Sequence, residues 1–149
     1  MRLADTIGSV LAQKGFGAFQ TTPEETVYDA VKKMAEHQVG GLVVTSKGKL
    51  VGMVTERDYA RKVALLGRRS HEVHVRDIMV SPAWYVGPDN TVDECMALMT
   101  EKRIRHLPVL QNDTIMGVVS IGDLVKWIIS AQDGAIRHLE NYVSSSYPG

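Results

Sequence analysis

The sequence predicts an α/β protein made of two copies of one β-α-β-β-α unit, and three observations carry that prediction. Shifted by 65 residues, segment 19–68 falls on segment 84–133 without a gap, and ten of the 50 aligned positions are identical. The order of apolar runs, helical periodicities and turn residues also agrees between the copies. Finally, the pattern Gly, apolar, any, Thr/Ser, any two, Asp stands at the same place in each copy.

Each unit opens with a short strand, at 18–21 or 84–86, followed after a proline by a helix. Val27, Ala30, Val31, Met34 and Ala35 recur at helical spacing in the first copy, as do Val92, Cys95, Met96 and Met99 in the second. Thr26-x-x-Asp29 and Thr91-x-x-Glu94 are capping-box starts, the Asp being the poorer fit. Paired apolar runs follow, 42–45 with 50–55 and 107–110 with 115–120. They are split by Ser46-Lys47-Gly48 and Asn112-Asp113, residues that suit hairpin turns. Helices at 56–66 and 122–131 close the units. The chain thus divides into an N-terminal helix (1–17), a first unit (18–68), a polar connector (69–83), a second unit (84–133), and a C-terminal helix and tail (134–149). Leu3, Ile7, Val10 and Leu11 mark the apolar face of the N-terminal helix, and Ile136, Leu139 and Val143 that of the C-terminal one.

Composition narrows the function classes. The 149 residues are 44% hydrophobic, enough for a packed core, and 17 basic residues balance 17 acidic ones. That balance argues against a nucleic-acid partner, which selects a basic excess. No apolar run approaches the ~20 residues of a membrane span, and the start lacks a secretory apolar region. One cysteine, Cys95, excludes an intrachain disulfide, and no His, Cys, Asp or Glu spacing specifies a metal. A cytoplasmic location is expected.

The repeated motif carries the chemistry. It reads Gly52-Met53-Val54-Thr55-Glu56-Arg57-Asp58 and Gly117-Val118-Val119-Ser120-Ile121-Gly122-Asp123. The glycine admits a ligand or a neighbouring backbone close to the strand. Thr55 and Ser120 sit where strand becomes helix, where a hydroxyl and unpaired amides suit a phosphate. Asp58 and Asp123 offer carboxylate oxygens to a ribose diol. The same Thr/Ser-x-x-Asp spacing also describes an ordinary helix cap, but its recurrence with a glycine and a strand favours a nucleotide.

The two copies resemble the CBS domain, named after cystathionine β-synthase, over roughly residues 18–131. The resemblance includes Thr55-Glu56-Arg57-Asp58-Tyr59-Ala60-Arg61-Lys62, Val75-Arg76-Asp77-Ile78-Met79 and Arg103-Ile104-Arg105-His106-Leu107-Pro108-Val109. It implies a tandem pair about a pseudo-twofold axis that binds AMP, ADP, ATP or NAD in clefts between the repeats, and a side-by-side homodimer. It implies regulation rather than catalysis, with the signal passed to another protein chain. The alternative is an interaction module whose sites stay empty in the cell.

By the same resemblance Arg105 and His106 offer donors to phosphate, Arg57 reaches it from within the first motif, and Val39, Met53, Ile104, Pro108 and Val118 wall the adenine. Gly40-Gly41 replaces Arg105-His106 in the first copy, leaving room for a larger ligand such as the second half of NAD. The stretch Arg61, Lys62, Arg68, Arg69 and Arg76 reads as a solvated basic face. His37, His71, His74 and His138 read as surface residues, Cys95 as a buried inert thiol, and Trp84 and Trp127 as core or interface. The terminal helices have apolar faces that the repeats do not obviously need, and are expected to help hold the dimer.

Overall fold

The computed structural model describes residues 5–131. Leu3 and the expected C-terminal helix with Ile136, Leu139 and Val143 lie outside the described residues, as does His138. In chain order the elements are α1 (Ile7–Lys14), β1 (Gln20–Thr21), α2 (Val27–His37), β2 (Gly41–Ser46), β3 (Lys49–Thr55), α3 (Glu56–Tyr59), α4 (Val75–Ile78), α5 (Val92–Lys102), β4 (His106–Gln111), β5 (Thr114–Ser120) and a helix α6 over 121–131. The helix expected at 56–66 begins as α3 and widens into a π turn at Ala60–Ala64.

The repeat is accurate down to register. Gly41 pairs with Thr55 and His106 with Ser120, and both hairpins slip register at the same place, between Val44 and Thr45 and between Val109 and Leu110. Both turns are two residues long with positive φ, Lys47-Gly48 at 53° and 76° and Asn112-Asp113 at 52° and 64°. That handedness matches the twist of the flanking strands. Thr91 and Glu94 form the full reciprocal cap of α5, whereas at α2 Thr26 accepts from the Asp29 amide without a return bond. The second copy departs at its first strand, which shrinks to a single parallel bridge between Val86 and Val109 beside an exposed Trp84 and Tyr85.

Two cores form, one per repeat, and each takes apolar residues from outside its own repeat. Ile7, Val10 and Leu11 of α1 pack with Val92, Cys95, Met99, Leu107, Val109, Val119 and Leu124. Val73, Val75 and Ile78 pack with Val27, Ala30, Met34, Leu42, Val44, Val54 and Val63. The segment read as a polar connector is therefore part of the first core. The apolar face of α1, expected to serve a dimer, is spent inside the chain. Cys95 is buried as expected, and burial, with Glu94 beside it, pushes its thiol up to about 11.

The motif glycines serve this packing. A Cβ on Gly52 would lie 2.8 Å from the Val80 carbonyl oxygen and 3.0 Å from the Met79 sulfur, and one on Gly117 would lie 3.0 Å from Leu11. Of the two uses open to a motif glycine, both serve close approach of the chain itself. Gly52→Ala is therefore expected to destabilise the protein by about 1–3 kcal/mol, the scale of overpacking against a backbone that cannot yield. Gly122→Ala, whose Cβ meets nothing nearer than 3.6 Å on α6, is expected to be neutral or stabilising. Urea denaturation of the two variants measures the contrast.

Candidate functional site

At the end of β3 the chain turns into α3 through a reciprocal cap. The Asp58 amide donates to Thr55 Oγ1 at 3.3 Å, and the Thr55 amide donates to Asp58 Oδ2 at 3.0 Å. The same cap forms in the second copy between Ser120 and Asp123, at 3.1 and 2.8 Å. The next amide is also engaged, Glu56 donating to Gly40 O and Ile121 to Arg105 O. The helix starts therefore do not present a row of free amides to a phosphate. The expected row of unpaired amides at the helix start is thus corrected: two of them are taken by the chain itself.

Those cations converge on one cleft. It has a volume of about 820 Å³ and lies between the first motif and the turn from α5 into β4. Its walls hold Thr55, Arg57, Asp58, Ile104, Arg105 and His106, together with Met53. Seven expected site residues thus come together across the two repeats. The left-handed cap Arg103, φ 55°, ends α5 and turns the chain into this cleft. Arg57 Nη1 donates to its carbonyl at 3.2 Å, tying the first motif to the second repeat.

Five expected residues lie elsewhere. Val39 is half-buried against the first core, and Pro108 is buried on β4 opposite Val118. Ser120 and Asp123 stand against α1, where Lys14 Nζ lies 2.6 Å from Asp123 Oδ2 and donates to the Val118 carbonyl at 2.7 Å. A smaller pocket of about 280 Å³, lined by Lys14, Asp123, Lys126 and Trp127 among others, opens there. The space over Gly40 and Gly41 is not free for a larger ligand. The His106 imidazole fills it, its Nε2 3.2 Å from where a Gly40 Cβ would stand.

The cleft also holds residues that the sequence reading set aside. Arg61 and Lys62, taken as a solvated face, line it with Lys102 and Arg103, and Trp84 stands at its wall, 47% exposed rather than in the core. Only three-dimensional proximity brings them together, although Lys62 stands one helical turn after Asp58, a legible i,i+4 signal. Lys62 Nζ reaches Asp58 Oδ1 at 3.2 Å and donates to Ile78 O. Arg57, Arg61, Arg103 and Arg105 take no carboxylate partner among the described residues. A chain of formal net charge zero thus concentrates unpaired guanidinium groups in one place. His106 is held below its ordinary value, first by burial and then by Lys14 and Arg105, against the opposing pull of Asp123. It therefore faces the cleft as a neutral ring near pH 7.

Two repeats that enclose a cation-lined cleft define a tandem-repeat module. The chain belongs to the CBS domain family, which matches it over residues 19–65 and 75–130. It is 40% identical to the mitochondrial CBS domain-containing protein CBSX3 of Arabidopsis thaliana over 95% of this chain and 73% of that one. A protein with CBS domains from Burkholderia ambifaria, assigned by name to signal transduction, superposes with a TM-score of 0.81 at 47% identity, covering 85% of this chain and 96% of that one. A CBS-domain protein of Agrobacterium tumefaciens gives 0.77 at 33%, over 81% and 97%. Proteins made of CBS domains alone are generally regulatory. Among the described residues no helix is long and apolar enough to cross a membrane.

The Lys14–Asp123 pair makes stability pH-dependent. Burial raises the Asp123 carboxyl, but Lys14 and the Ser120 amide outweigh it, so the net direction is below the ordinary 3.8. A depressed carboxyl stabilises the fold above its unfolded value, and that contribution is lost as pH falls through the folded value. Lys14→Met is expected to lower stability at pH 7, and the gap from wild type should close below about pH 3.8. Thermal unfolding across pH checks this.

Proposed function

We propose that the chain is a regulatory module that binds an adenine nucleotide, AMP, ADP, ATP or NAD, in the cleft between its repeats, and that it is not an enzyme. The observation that carries this reading is the meeting of the Asp58 carboxylate with four guanidinium groups that take no carboxylate partner among the described residues, in one cleft of about 820 Å³. A carboxylate suits a ribose diol, and guanidinium groups suit phosphate oxygens in forked geometry. The adenine specificity comes from kinship with the CBS family.

The two motifs are unequal in this proposal. The first collects the cations Arg57 and Arg105, with His106 as a neutral ring beside them, and so tolerates more phosphate charge. At the second, Lys14 already meets Asp123. A lysine bridge and a complete cap are common to both motifs; the pocket at the second has no guanidinium group among its described lining residues, and that difference favours a structural reading there, as in a module whose site stays empty.

We also propose a homodimer. Val125 and Ile129, one helical turn apart on α6, are 43% and 52% exposed, and Leu65 and Leu66 are exposed after the π turn. A second copy would cover such residues. A CBS-CP12 protein of bloom-forming cyanobacteria, 34% identical with a TM-score of 0.70 over 73% of this chain, is hexameric. Sedimentation at micromolar concentration is expected to give a dimer, and a monomer with and without AMP overturns the proposal.

Thermal-shift measurements test ligand class, since a ligand that binds only the native state raises stability. AMP or ATP is expected to raise Tm, with GMP and CMP doing so far less. Equal shifts with all four remove the adenine claim, and no shift with any removes binding. By calorimetry Arg105→Ala is expected to weaken binding by about 1–3 kcal/mol, the scale of a charge-assisted hydrogen bond. Unchanged affinity would separate Arg105 from the ligand.

A further inference from the structure

Trp84 and Phe19 occupy the same position in the two repeats, and so do Lys102 and His37, each pair separated by the 65-residue shift. The structure makes the correspondence physical. Phe19 stacks face to face on His37, with ring centroids 3.8 Å apart and planes inclined by 7°. At the equivalent place Trp84 has the Lys102 ammonium over its ring, 4.6 Å from the centroid. In the first repeat the ring face is thus covered by a flat nitrogen heterocycle. In the second it is covered by a flexible chain that ends in a charge.

Only the second of these aromatic faces is among the residues lining the large cleft. Trp84 lies there with Lys102, Arg103 and Asp58. A tryptophan left 47% exposed forgoes much of the burial that usually stabilises it. The other tryptophan is committed, its indole N–H donating to Asp5 Oδ2 at 2.9 Å and its ring packed on the second core. A lysine over an exposed ring is a weak cover, because water competes for the ammonium and the stem is mobile. A planar base offers the same ring more overlap, as the Phe19–His37 pair illustrates.

We propose that the exposed face of Trp84 is the platform on which the base of the bound nucleotide stacks, so that Trp84 favours a purine over a pyrimidine. The base takes the place of the Lys102 ammonium, which is then free to approach the phosphates alongside Arg103 and Arg105. The inference rests on the nucleotide reading above and assigns to that cleft a base-recognition residue absent from the repeated motif.

Calorimetric titration of AMP and CMP into wild type, Trp84→Leu and Trp84→Phe tests it. Trp84→Leu is expected to weaken AMP binding about tenfold, within the range of base–aromatic stacking, and to narrow the preference for AMP over CMP. Trp84→Phe is expected to recover most of both, which a merely structural role of the indole would not require. In a Trp127→Phe protein, AMP is expected to change the emission of the remaining Trp84. AMP binding to Trp84→Leu with wild-type affinity and preference overturns the platform and leaves the nucleotide reading standing. AMP and CMP both failing to bind wild type at millimolar concentration overturns both.

Discussion

Each repeat is completed by the segment that leads into the other one. In the first repeat Val27 N–H donates to Val73 O, Val75 N–H to Glu25 O and Arg76 N–H to Pro23 O. In the second, Val92 N–H donates to Asp5 O, Ile7 N–H to Asn90 O and Gly8 N–H to Pro88 O. These are the same three bonds, and they hold α4 on the first repeat and α1 on the second. The apolar faces of those helices then finish the two cores. Everything at the cleft depends on this exchange. It places Val80 beside Met53, brings Lys14 to Asp123, and sets the strand starts of the repeats close enough for His106 to lie on Gly40 and Gly41. A unit of about 50 residues would have too small a core by itself, and the exchange gives each a third layer.

The hairpins, their turns and the helix caps were legible because each is fixed by local chemistry repeated at one spacing. Lys47-Gly48 and Asn112-Asp113 announce turns whatever surrounds them. The docking of the exchanged segments was not legible, for a physical reason, although the apolar face of α1 was. Their equivalence runs at an offset of 68 residues rather than 65, Val75 answering Ile7, and they share a pattern of burial rather than residue identity. Flanking charge made 69–83 read as a linker, although Val73, Val75 and Ile78 are buried. At the cleft the acids and hydroxyls were visible as a motif. The spread of Arg61, Lys102, Arg103 and Trp84 was not, since no spacing in the chain records which side chains meet across two repeats.

The cap geometry gives the repeated motif a use within the fold itself. Thr55 and Asp58 satisfy each other and the first turn of α3, so the motif stabilises the fold whether or not anything is bound. Asp58 is 9% exposed yet has both oxygens engaged, Oδ2 by the cap and Oδ1 by Lys62. The carboxyl group is therefore held in one orientation by its own helix, and the cost of ordering it is met during folding.

The docking of α1 has a consequence for synthesis. Lys14 and Asp123 are 109 residues apart in the chain, and the backbone bonds of α1 reach residues 88–92. The helix emerges from the ribosome early, while the surface that buries Ile7, Val10 and Leu11 emerges late. At about 5–20 residues per second, those side chains wait several seconds without a partner. The first repeat finds itself in the same position until residues 73–78 have followed it. The first core is complete once residues 73–78 have emerged, whereas the second takes Ile7, Val10 and Leu11 from one end and residues 86–124 from the other, so α1 stays without its apolar partners until the second repeat has followed.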